Sequence, residues 1–76
     1  MARAEKDRIA ERLRAILIDA RAEADITQKV LAARMGRPQS FVSNYERGAG
    51  RVDVADLILI ARALGLDAAE VLKRLD

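Results

Sequence analysis

The sequence predicts an all-α domain of five helices, the first of them extended at its N-terminus. Three observations carry this. Apolar residues recur at steps of three and four along most of the chain. Of 76 residues, 15 are Ala, a strong helix former, against four Gly and one Pro. The four Gly residues, Thr27, Asp25, Asp53 and Asp67 fall between the periodic stretches, where helix ends need them.

Each element has its own reasons. Ile9, Leu13, Ile16, Leu17 and Ala20 make one stripe of a first helix from Glu5 to Ala24, which Asp25 ends. Thr27 suits the N-cap of a short second helix with Val30, Leu31 and Met35 inward, and Gly36 suits its left-handed C-cap. Pro38 fits the first turn of a third helix, where its missing N–H costs nothing, and Gly48 stops that helix after Arg47. Asp53 caps a fourth, Val54 to Leu64, ended by Gly65. Asp67 and Glu70 form a capping-box-like pair opening a fifth, with Leu66 placed to staple onto Val71. No linker or internal repeat divides residues 1–76, so one domain is expected.

Composition narrows function. Cys and His are both absent, which excludes disulfides, Cys/His zinc sites and imidazole bases. Ser40 and Ser43 therefore have no base to make either a nucleophile. Asp53, Asp56, Asp67 and Glu70 read as helix N-terminal charges rather than metal ligands. No glycine-rich phosphate cradle occurs. The expectation is a protein that is not an enzyme and needs no cofactor. The longest apolar run, Leu57 to Ala61, is far short of the ~20 residues that span a bilayer. Residues 1–7 carry no apolar leader, so a cytoplasmic, nucleoid-associated protein without membrane contact is expected.

Charge is unevenly spread. Residues 27–51 hold Lys29, Arg34, Arg37, Arg47 and Arg51 against one acid, Glu46, a net +4. The remainder carries a net −2. A basic centre between flanks that are not basic suits a polyanion. Within it, Gln39, Ser40, Ser43, Asn44 and Arg47 fall within roughly 140° of one another on the third helix. Phe41, Val42 and Tyr45 occupy the other side, where packing of the aromatic pair against the bundle is expected, with Tyr45 the deeper. A solvated face usually mixes Glu and Lys; this one offers amides, hydroxyls and a guanidinium. Gln or Asn can grip adenine N6 and N7 together, and Ser and Arg reach bases or phosphates.

Leu17, Arg21, Ile26, Thr27, Gln28, Leu31, Ala32, Met35, Gly36, Gln39, Ser40, Val42, Ser43, Glu46, Arg47 and Gly48 together resemble the Cro/phage-repressor type of helix-turn-helix (XRE-like, lambda-repressor-like). The resemblance continues through Leu57, Ile60, Ala61, Leu64 and Gly65. It implies a five-helix lambda-repressor-like DNA-binding domain with the motif at about residues 27–47. It further implies that Gln39, Ser40 and Asn44 read bases, with Ser43 beside them. Gln28 would hold a phosphate and brace the first base-reading side chain, while Arg47, Gly48 and Arg51 follow the backbone; Arg37, in the basic centre, is a further candidate for backbone contact. Arg21 and Glu46 would pair to tie the first helix to the recognition helix. Asp25 departs from the Gly common there, though Asp tolerates the left-handed conformation. Val52 stands where Pro is common, and Leu59 where a polar residue is. The extension, about residues 5–16, precedes the matching region, and no role for it is implied.

Leu57, Ile58, Leu59 and Ile60 make the fourth helix apolar all round. Either the N-terminal extension covers the excess, or Leu59 and Ile58 form a homodimer seam; the seam is favoured because paired half-sites raise affinity and specificity. The function expected is sequence-specific binding of double-stranded DNA by a homodimeric transcriptional regulator, acting as a repressor on a palindromic operator. An antitoxin with a toxin or other protein partner, a restriction-modification controller, and a protein-interaction module without DNA binding are the alternatives.

Overall fold

The computed structural model describes residues 2–75, with side chains over residues 4–75. Its five helices are α1 (Ala2–Glu23), α2 (Gln28–Met35), α3 (Gln39–Glu46), α4 (Val54–Ala63) and α5 (Ala68–Arg74). No strand occurs among the described residues. At a rise of ~1.5 Å per residue, α1 alone accounts for most of the long axis, which measures 37 Å.

Local chemistry sets the ends. α1 begins before the expected Glu5 and closes through Asp25, whose φ of 55° is left-handed. The Thr27 hydroxyl accepts the Val30 amide at 3.1 Å. Gly36, at φ 69°, closes α2, and the Arg37 amide reaches back to the Ala32 carbonyl at 2.9 Å. Pro38 is the N-cap of α3 rather than its first helical residue, and Arg47 is its C-cap, so α3 is shorter by one residue at each end than the spacing suggested. α4 likewise stops at Ala63. The reciprocal capping box stands at Asp53 and Asp56, not at Asp67 and Glu70. Asp67 accepts the Ala69 amide at 3.0 Å, while Glu70 turns to Lys73.

Each helix contributes one side chain to the centre: Leu17, Leu31, Val42, Ile60 and Val71 are all essentially without exposure. Ala20, Ala32 and Ala61 let the helices approach closely around them. α1 packs on α3 and α5, and α2 on α3 and α4. Two guanidinium groups fasten helix ends: Arg34 donates to the Ala63 carbonyl at 2.8 Å and Arg12 to the Arg74 carbonyl at 3.0 Å. Leu57 and Ile60 face inward, whereas Ile58 and Leu59 remain 37% and 39% exposed. The N-terminal extension therefore does not cover that side of α4.

Candidate nucleic-acid interface

α3 divides as its sequence implies. Val42 and Tyr45 are buried behind it, and the Phe41 ring meets Tyr45 edge-on at 5.5 Å. Gln39 and Ser40 are exposed, and Ser43 and Asn44 are half-buried at the margin of the same face. The Arg47 guanidinium donates to Asn44 Oδ1, which orients the amide. A bidentate grip on adenine then requires Asn44 Oδ1 to be released or shared; its second lone pair permits sharing.

Behind this face, Glu46 gathers three segments. Arg21 Nε donates to Glu46 Oε2 at 2.7 Å and Arg21 Nη2 to Oε1 at 2.9 Å, a bidentate pair. Arg21 Nη1 reaches the Ile26 carbonyl at 2.9 Å, tying the turn between α1 and α2 into the same knot. Gln28 Nε2 also donates to Glu46 Oε1, at 2.9 Å. The Gln28 amide is thus held toward Glu46, and no hydrogen bond joins it to Gln39. Burial alone would push the Glu46 carboxyl up, but Arg21 and Gln28 outweigh it and hold it below the ordinary carboxylate value. The hydrogen bonding and charge of Glu46 raise Arg21 against the opposing effect of burial.

Arg37 sits otherwise than its sequence position suggests. Its guanidinium lies 4.0 Å over the Phe41 ring and pairs with Asp56 at 3.1 Å, joining the turn, α3 and the start of α4. A phosphate would have to compete with Asp56 for it. Arg51 is exposed in the loop after α3 and has no carboxylate within 4.0 Å among the described residues. That loop is pinned to the end of α3, since the Ala49 and Gly50 amides both donate to the Asn44 carbonyl, at 2.9 and 3.1 Å.

Sequence reasoning missed Arg14. Its guanidinium lies where a Cβ at residue 48 would stand, a contact the flexible side chain could yield, whereas the φ of 80° is what requires Gly48. Only the spacing of bases along α1 hinted at it, and that spacing does not say which loop lies opposite.

This arrangement of a capped α2, a glycine turn and an outward polar α3 is that of a helix-turn-helix. A helix-turn-helix family model matches residues 17–71. The structure superposes with TM-score 0.93 on an XRE-family like protein from Pseudomonas syringae pv. tomato str. DC3000, with 40% identity over 97% of this chain and 90% of that one. The clp gene regulator ClgR from Corynebacterium glutamicum is 31% identical over 88% of this chain and 87% of that one, with TM-score 0.79. The restriction-modification controller protein C.Esp1396I shares the fold, with TM-score 0.82 and 21% identity over 88% of each chain. No curated protein matches the chain in sequence. The chain belongs to the XRE family of helix-turn-helix proteins. Its class is that of DNA-binding transcription regulators.

Proposed function

We propose that the chain is a sequence-specific regulator that binds a palindromic operator as a homodimer and represses by covering a promoter. The observation that carries this is the outward face of α3, where Gln39, Ser40, Ser43 and Asn44 stand together without a carboxylate. These four read base edges in the major groove. Arg47 and Arg51 hold the sugar-phosphate strand beyond the end of α3. Gln28, at the first turn of α2, offers its backbone amide to a phosphate. Arg37 exchanges Asp56 for a second phosphate. A cytoplasmic place follows from that role. The exposed Ile58 and Leu59 supply the seam between two copies, and the role requires no toxin or other protein partner.

Selection of bound fragments from random duplex DNA tests the reading. The expected result is two symmetry-related half-sites about one helical turn, ~34 Å, apart. Asn44→Ala should then cost ~1–3 kcal/mol on the selected site and flatten its sequence preference. An unenriched pool would overturn the reading, and an unchanged preference would remove Asn44 from the base-reading set. Salt separates this function from a protein-interaction module, because phosphate contacts weaken by orders of magnitude between ~50 and ~200 mM salt and an apolar interface does not.

A further inference from the structure

Between the N-terminal part of α1 and the loop after α3 lies a cleft of about 410 Å³. Lys6 and Arg14 from α1 and Arg51 from the loop stand around it, and Ala10 and Leu13 supply apolar lining. None of these three cations has a carboxylate within 4.0 Å among the described residues. Two acids also line the cleft. Asp53 is engaged in capping α4, accepting the Asp56 amide at 2.8 Å, and Asp7 is exposed. The cleft begins where α3 ends, because Gly48 and Gly50 line it and Gly50 is hydrogen-bonded to the Asn44 carbonyl. It therefore adjoins the C-terminal end of α3, although Gln39, Ser40, Ser43 and Asn44 do not line it.

Cationic side chains beside a small apolar surface match one polymer well. A sugar-phosphate strand alternates an apolar deoxyribose with an anionic phosphate, and it runs on from whatever groove α3 occupies. We propose that this cleft seats that strand, so that Lys6 and Arg14 extend the DNA footprint from the motif onto the α1 extension. The proposal rests on the DNA reading above and gives the extension a role. Arg14 would act twice: its guanidinium packs on Gly48, in the loop that carries Arg51, and it neutralises a phosphate itself. Asp7 opposes the strand.

Phosphate-ethylation interference on the selected duplex tests this, comparing wild type with Lys6→Gln, Arg14→Gln and Arg51→Ala. Wild type should show interference at phosphates next to those lost in Arg51→Ala. One or two of these should become insensitive in Lys6→Gln and in Arg14→Gln, with the remaining pattern and the base preference kept. Each variant should also shallow the salt slope by about one unit, and Asp7→Asn should tighten binding. Wild-type interference patterns and slopes in both variants would overturn the proposal. So would a wild-type Lys6→Gln beside an Arg14→Gln that loses every contact, since Arg14 would then act only by shaping the loop. A wild-type chain with no interfering phosphate anywhere would sink the DNA reading itself, and the cleft's role with it.

Discussion

Glu46 is the residue on which most of the motif's geometry converges, and it makes stability depend on pH in a definite direction. Its carboxyl lies below the ordinary 4.5 in the folded chain. The stabilisation it supplies is therefore complete above that value and is lost as pH falls through the folded value. Glu46→Gln keeps the shape and removes the charge. It should cost ~1–3 kcal/mol at pH 7 and flatten the acid limb of a melting-temperature profile. Parallel profiles for wild type and variant would exclude Glu46 from the acid response. Tyr45 makes the opposite case. It is 2% exposed and its hydroxyl has no hydrogen-bond partner among the described residues. Burial, with Glu46 nearby, pushes that hydroxyl's pKa well up. An unpaired buried hydroxyl costs ~1–3 kcal/mol, so Tyr45→Phe should hold or raise stability in urea unfolding. A loss above ~1 kcal/mol would mean the hydroxyl does have a partner.

At the scale of elements, the caps decide where each helix points. Asp53 accepts the Asp56 amide and Asp56 accepts the Asp53 amide, while Asp56 also holds Arg37 over Phe41. The start of α4 is thereby coupled to α3 through one carboxylate. Asp53→Ala should cost ~1 kcal/mol by thermal melting, and an unchanged melt would show that Asp56 alone sustains the helix start. These ends were largely legible in the sequence. Thr27, Gly36 and Asp53 are short-range signals, each satisfied within four residues of itself, and Asp25 adopts the left-handed turn its side chain tolerates. What the sequence hid was partnership across distance. Arg37 on Phe41 and Asp56, Gln28 on Glu46 and Arg14 on Gly48 all join segments whose approach periodicity does not specify. The helical period places a side chain on a face; only packing decides what stands opposite. The polar face of α3 was legible because the same period that buries Val42 and Tyr45 turns Gln39 and Ser40 outward. The pair between Arg21 and Glu46 was signalled by the resemblance and by a lone acid in a basic region.

On the scale of the whole molecule, the core is small and evenly shared, with one large fully buried side chain from each helix. No helix of the described residues is long and apolar enough to cross a membrane. Val54, Ile58, Leu59 and Leu72 nonetheless leave apolar area on α4 and α5 uncovered. Leu59→Glu should shift sedimentation from dimer to monomer and weaken binding to a two-half-site duplex more than to a single half-site. An unchanged sedimentation profile would move the seam elsewhere. The labour is also divided unequally within α3. Val42, Tyr45 and Glu46 keep the domain together, whereas Gln39, Ser40 and Ser43 make no side-chain hydrogen bond or ion pair in the free chain among the described residues. Positions without such partners, exposed at Gln39 and Ser40 and half-buried at Ser43, usually tolerate exchange within ~0.5 kcal/mol. On the proposed base-reading role of these three residues, a descendant can rewrite its target vocabulary there while its scaffold stays still, so that new addresses arise with almost no penalty in foldedness.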